Sequence, residues 1–423
     1  MTAMTPTASR LSRWLALSVA AVVTGTAGAQ CSYSVRLLQE PLHPQCPASP
    51  PAEGVKGINN HGECVGEYLI CAGSLKPCRW DANGNWYPIV IPGMSEGSAK
   101  SIGDDGTIIG TAVIGGTERW FRIQDGQTII TPFPCEQLYY AKGVAYIADG
   151  VSAGTVYCAD PSFVHGFVQT AEGEWINIGL DIAPNDSTKV ANASPTGFVV
   201  GQALLGFAGV DSRGFRWQGG RALLLPAVPG GYTSSASDVN RWGDVSGRGL
   251  YDLPDWPRGD PVKGFLYVDG VMQDAGFLPG MTVSHVDCIN DLGQGAGASG
   301  EHLWSNPLFH AVLWQHGKMH KVIDLVTDPN VFQIPSIKTL NDRGEMTATV
   351  WYQSVSRPIV LTPIRERDGD VDLDCAVNLH DLQLVLRTWG SAYDYDHGPG
   401  DATNDGVVDA RDIAVVLGDW DPR

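Results

Sequence analysis

Charge is scarce in this sequence. Asp, Glu, Lys and Arg make up 17% of its 423 residues, against about 25% in an average soluble chain. What charge there is lies mostly on one side, with 46 Asp and Glu against 28 Lys and Arg and a net of −18. A surface of that sign repels nucleic acid and anionic lipid, and favours cations as partners. No nucleophile elbow, phosphate loop or HExxH helix is present, so the common hydrolase and nucleotide chemistries have no motif to stand on. No paired CxxC spacing occurs, which argues against a structural zinc cluster. Beyond residue 29 no apolar run is long enough to cross a bilayer. In place of long helical patterns there are 51 Gly and 27 Pro beside 13 Trp and 13 Tyr. That mixture suits many short strands joined by turns.

The first 29 residues stand apart. Arg10 and Arg13 form a basic front, residues 14–23 an apolar run, and Ala27-Gly28-Ala29 a small-residue cleavage site before Gln30. This is the pattern of a secretory signal peptide, and the expected location is extracellular or cell-surface. All nine Cys follow the cleavage site, where disulfides persist, and the odd number leaves at least one unpaired within the chain. Cys64, Cys71 and Cys78 cluster in one hairpin region and Cys135 and Cys158 flank another, so local pairings are expected there.

A turn phrase ending in Gly recurs seven times, at residues 57–62, 101–106, 144–150, 193–197, 238–243, 289–293 and 340–344, with Asn or Asp in every copy but the fourth. Asn and Asp accept turn geometry and Gly supplies a positive φ, so these read as hairpin turns and not as catalytic or metal-binding carboxylates. The turn glycines are 44, 44, 47, 46, 50 and 51 residues apart. A second phrase lies between them: His165-Gly166-Phe167-Val168, Arg213-Gly214-Phe215-Arg216-Trp217, Lys263-Gly264-Phe265-Leu266-Tyr267 and His310-Ala311-Val312-Leu313-Trp314. Each is followed by a Gly turn and another strand, such as residues 321–325. Two hairpins per repeat make four strands, which is one blade of a β-propeller, and a period in the forties agrees. Residues 33–38 read as the second strand of a blade and 357–361 as a first strand. If they share a blade the last strand closes the ring on the first, giving seven blades over roughly residues 32 to 364. The recurrent Trp and Phe are expected in the blade core, with a sugar-binding surface as the other use of any that are exposed. His165 and His310 alternate with Arg213 and Lys263 at one position of the repeat, which argues for a strand-edge role and against a ligand or base.

These phrases resemble the extracellular HAF-repeat family, on residues such as His310-Ala311-Val312-Leu313-Trp314 and Ile289-Asn290-Asp291-Leu292-Gly293-Gln294. The resemblance covers about three quarters of the chain, residues 30–364, and implies a secreted repeat protein with no established chemistry.

The tail carries the sharper signal. From Glu366 to Arg423 there are 14 Asp and Glu against 4 Arg, a net of −10. Asp401, Thr403, Asp405, Asp409 and Asp412 fall at positions 1, 3, 5, 9 and 12 of a loop with Gly406 at position 6. This is the ligand spacing of an EF-hand loop, with Val407 offering its carbonyl and Val408 anchoring the loop to a core. A second copy lies 31 residues earlier: Asp370, Asp372, Asp374, Asn378 and Asp381, with Ala376 as the carbonyl and Val377 as the anchor. Cys375 stands where Gly is usual, at a strain cost on the order of 1 kcal/mol, so the first of two Ca²⁺ sites is expected to be the weaker. Helical sequence follows each loop, over residues 382–389 and 413–420, with apolar residues at i, i+3, i+4 and i+7.

A duplicated loop-then-helix unit with Asp at position 12 is similar to a type I dockerin, here residues 366–423. That resemblance implies folding on Ca²⁺ and docking onto a cohesin-like module or surface scaffold protein. It also implies partner contacts at loop positions 10 and 11, which are Leu379-His380 and Ala410-Arg411. The two pairs differ, which argues against symmetric docking. The whole reads as a mainly β, seven-bladed propeller with a small α-helical calcium-binding domain. The expected function is a secreted, non-catalytic binding protein held by its tail. The alternative is a dockerin-borne polysaccharide-degrading enzyme, a glycoside hydrolase or lyase, with Glu96, Glu172, Glu174 and Glu301 as unranked carboxylates.

Overall fold

The computed structural model describes residues 31–40, 54–70, 73–131, 138–158, 164–184, 186–206, 211–251, 261–301, 309–352 and 355–421. The leader, Cys71, Cys135 and the Cys158 side chain lie outside the described residues, and with them the pairings expected there.

Every copy of the turn phrase turns the chain between the first and second strands of a sheet, and there are seven such sheets. Strand β1 (Tyr33–Leu37) precedes them all. The first sheet runs β2 (Gly54–Ile58), β3 (Cys64–Leu69), β4 (Leu75–Trp80) and β5 (Trp86–Pro88). The second runs β6 (Met94–Ile102), β7 (Ile108–Ile114), β8 (Thr117–Gln124) and β9 (Gln127–Thr131). The third runs β10 (Leu138–Tyr146), β11 (Ser152–Cys158), β12 (Val164–Gln169) and β13 (Trp175–Asn177), followed by the one-turn helix α1 (Gly179–Ile182). The fourth runs β14 (Ser187–Ala193), β15 (Val199–Leu205), β16 (Asp211–Gln218) and β17 (Arg221–Leu224). The fifth runs β18 (Ser235–Val239), β19 (Val245–Leu250), β20 (Val262–Val268) and β21 (Val271–Asp274). The sixth runs β22 (Val283–Ile289), β23 (Gly295–Gly300), β24 (Phe309–Gln315) and β25 (Lys318–Lys321). All pairings are antiparallel and in chain order, and the first strand of each sheet packs against the first strand of the next. The result is a seven-bladed β-propeller.

The seventh blade closes the ring. Strands β27 (Ile337–Leu340), β28 (Met346–Tyr352) and β29 (Val355–Pro363) form its inner part, and β26 (Val331–Gln333) shares the edge of β28 that β27 uses. Strand β1 then pairs with β29, from Tyr33 opposite Pro363 to Leu37 opposite Ile359. The expected closure is therefore present, but its two strands hold the fourth and third places of the blade, not the second and first. The inner places are taken by β27 and β28, which carry the seventh turn phrase between them. Another expectation changes in the sixth blade: its fourth strand is β25, and residues 322–325 form a short 3-10 turn that drives Val322 into the core.

Blade faces are covered by neighbouring blades on both sides, so the strands lose the alternation of a half-exposed sheet; Ile359, Val360 and Leu361 are all fully buried. The expected aromatic core is present, with Trp80, Trp120, Phe121, Phe215 and Phe265 fully buried on third strands. Each Phe faces a glycine on the second strand, Gly110, Gly201 or Gly247, where a Cβ would come within 2.5 to 3.0 Å of the ring. Cys64 and Cys78 are buried free thiols: Cys64 faces Trp80 and Cys78 faces Gly66, so the register keeps them out of step.

Candidate metal loops and their seat on the propeller

The seven turn glycines all have positive φ, between 73° and 86°. In the best-formed copies the Asn side chain holds the turn with its oxygen and reaches the next blade with its amide. Asn59 Oδ1 accepts from the Glu63 amide while Asn59 Nδ2 donates to the Gly103 carbonyl. Asn240 donates in the same way to Asn290, Asn290 to Asn341, and Asn341 across the ring junction to Asn59. The following residue repeats the link: Asp291 accepts from the Arg241 amide, Asp342 from the Asp291 amide, and Asn60 from the Asp342 amide. The phrase is thus a turn, as its composition predicts, and also a blade-to-blade clamp.

The tail sits on this face. Its two loops are built alike. At position 1, Asp370 and Asp401 each accept from the amides of positions 5 and 6. At position 12, Asp381 and Asp412 each accept from the amides of positions 3 and 9. Position 5 accepts from the position 7 amide in both, Asp374 from Ala376 and Asp405 from Val407. Asn378 and Asp409 at position 9 cap the helices that follow, α2 (Leu379–Arg387) and α3 (Ala410–Gly418), each in a reciprocal capping box with position 12. The helices begin three residues earlier than expected because position 10 is already their first turn. The anchors Val377 and Val408 are buried in one core with Val371, Leu373, Val385 and Val416.

The donors at the heart of the first loop, on Asp370, Asp372 and Asp381, lie within 4.8 Å of one another. Burial and then the neighbouring Asp381 and Asp374 push the Asp370 carboxyl up to about 7. Burial and then Asp372 raise Asp381, and burial raises Asp372 against the pull of His316. Three buried carboxyl groups of one sign, presenting only oxygen, suit a hard cation such as Ca²⁺. The second loop presents Asp401 and Asp412, both fully buried, with the Thr403 hydroxyl donating to Asp412 at 3.0 Å and lying 3.3 Å from Asp401. Arg411 lies across its mouth, paired with Asp405 and Asp409. The residues expected to meet a partner, Leu379, His380, Ala410 and Arg411, are all exposed, and His380 also stacks on His316 of the β24–β25 turn with ring centroids 3.9 Å apart.

Several features of the seat have no counterpart in the sequence motifs. Cys375, at position 6 of the first loop with φ 61°, is disulfide-bonded to Cys31, two residues before β1. The side-chain amides of Gln294 and Gln315 donate to the Asp372 carbonyl. Arg387 of α2 pairs with Asp244 of the fifth blade at 2.7 Å and lies over the Trp242 ring. Leu292, from the sixth turn phrase, belongs to the same core as the loop anchors. Between the two units, Tyr393 lies under Arg241 of the fifth blade while Tyr395, buried, meets His61 of the first edge-on. The strap that carries both thus bridges opposite sides of the ring.

The alternative carboxylates do not converge. Glu96 lies in β6, Glu172 and Glu174 flank the exposed β12–β13 turn, and Glu301 follows β23, in three different blades.

No protein-family model and no curated protein matches the chain. Solved structures do. The β-propeller domain of the Trilobed protease from Pyrococcus furiosus is 9% identical with a TM-score of 0.50, over 73% of this chain and 95% of that one. An oligogalacturonate lyase from Vibrio parahaemolyticus is 10% identical with a TM-score of 0.47, over 80% and 92%. Acylaminoacyl peptidase from Pyrococcus horikoshii is 12% identical with a TM-score of 0.46, over 72% of this chain and 52% of that one. At such identities the likeness concerns the propeller fold alone.

Proposed function

We propose that this is an exported binding protein in which Ca²⁺ in the two tail loops fastens a dockerin-like cap onto the propeller. The observation that carries the reading is the repetition of one hydrogen-bond pattern in two loops of EF-hand spacing, each closing on a buried position 12 carboxylate. The donor set is all oxygen, and the clustered carboxylates of the first loop carry charge that a cation relieves. The cap contributes its exposed Leu379, Ala410 and Arg411 to a cohesin-like module or surface scaffold protein, and the second loop's pair is the freer of the two. The opposite face of the ring and the blade rims remain for a ligand of the propeller, carbohydrate among them.

Isothermal titration of the mature chain with Ca²⁺ tests the first part. Two sites are expected, one lost in Asp412→Asn and the other in Asp381→Asn; absence of binding would overturn it. A pull-down with the mature chain, run with Ca²⁺ and with EDTA, tests the second. A partner retained only with Ca²⁺ supports docking, and a loss of that partner in Arg411→Ala assigns it to the second loop's face.

A further inference from the structure

The first loop is not equivalent to the second, because the propeller sets a histidine against it and the loop brings a second one of its own. His316, on the β24–β25 turn, puts Nε2 3.2 Å from Asp372 Oδ2 and Nδ1 3.2 Å from Asp374 Oδ2. His380, the second residue of α2, stacks on it. One donor atom from each of His316, Asp372, Asp374 and His380 lies within 4.8 Å of the other three. The two 3.2 Å contacts use different ring nitrogens, so only one of them would be an edge of the coordination shell, near the ~3.3 Å edge of a tetrahedron of N and O ligands about Zn²⁺. The stacked His380 ring would turn to bring its lone pair to the same ion. Two imidazoles are poor ligands for Ca²⁺, which takes hard oxygen, and good ones for a borderline ion.

The geometry points to a transition-metal site of His₂Asp₂ type, for Zn²⁺ or a neighbouring first-row divalent ion, at the junction of the sixth blade and the tail. Three ligands come from the tail and His316 comes from the propeller, so the ion would pin one to the other. His316 is partly exposed, which leaves a path for the metal to enter. The site takes Asp372 and Asp374 from the first loop and therefore competes there with Ca²⁺. It does not depend on the calcium reading, since zinc affinity is measured without Ca²⁺.

The test is titration of the calcium-free mature chain with Zn²⁺, and with Co²⁺ as a spectroscopic probe. Wild type should bind one Zn²⁺ and show the visible d–d bands of four-coordinate Co²⁺. His316→Asn and His380→Asn should each weaken binding by about 100-fold or more and abolish the bands. His320→Asn, on the adjoining strand β25, should change neither. His380 lies at the surface, so His380→Asn tests the site without disturbing the blade, and a circular dichroism spectrum like that of wild type establishes its fold. Absence of Zn²⁺ binding, or affinities unchanged in both His316→Asn and His380→Asn, overturns the site. An equal loss in His320→Asn, marking non-specific imidazole binding, does so too.

Discussion

Cys375 is bonded to Cys31, 344 residues earlier in the chain. The one departure of the first loop from its pattern is therefore a tether, holding the loop to the strand that closes the propeller. A cross-link over so long a span constrains the unfolded chain strongly, and such bonds contribute about 2 to 5 kcal/mol. Cys31→Ser is expected to lower the denaturant midpoint accordingly. Cys375→Gly should be milder than Cys375→Ser by roughly 1 kcal/mol, since Gly accepts the left-handed backbone at that position. Chemical denaturation of the three variants checks the order.

Removal of the tail should be felt in the ring. The cap supplies Leu373 and Val371 to a core shared with Leu292, and Arg387 to the buried Asp244. Truncation after residue 365 is expected to lower the melting temperature of the propeller. If the tail loops hold Ca²⁺, EDTA should lower that of the chain with its tail and leave the truncated one unchanged, which differential scanning calorimetry would show. Equal melting of both forms would mean that the cap is an independent anchor.

The glycines under the buried Phe rings are a third point. A Cβ on Gly110 would meet the Ser98 carbonyl at 2.2 Å and the Phe121 ring at 2.5 Å. Gly110→Ala is expected to cost about 1 to 3 kcal/mol by overpacking. Pairing it with Phe121→Leu, which shortens the opposing side chain, should recover part of that in an unfolding titration.

Asp238 gives a pH dependence. Buried, it accepts from Asn192 of the fourth blade and Ile289 of the sixth, and burial pushes it up to about 7. Below about pH 4 the group is neutral in both folded and unfolded chains. Between about pH 4 and about 7 the unfolded chain ionises it while the folded one keeps the proton, so stability falls as pH rises through that window and levels off above it. Burial raises Asp104 and Asp291 in the same sense. The difference between the stability curves of wild type and Asp238→Asn should therefore slope across the window and flatten beyond it.

Much of this was legible in the chain because it repeats. Gly62, Gly106, Gly150, Gly197, Gly243, Gly293 and Gly344 mark the blades, since each needs a positive φ at the same place in one turn. The tail loops were legible because their Asp and Asn residues recur at fixed offsets in both copies. What was not legible depends on long-range partners. Nothing near Cys375 points to Cys31, and His316 is one turn residue among many until the tail is set beside it. The amide reach of Asn290 to the next blade was hidden for the same reason: a turn residue's oxygen has a local duty, but its nitrogen has a distant one.

The tether also determines how the molecule carries force. A partner that grips α3 and pulls draws on the first loop, and through Cys375 the load reaches Cys31, just ahead of β1. That strand is fastened to β29 along its whole length, from Tyr33 to Leu37. Traction on the tail is thus shared between both ends of the chain at the seam where the circle is joined, instead of peeling the last blade from the ring.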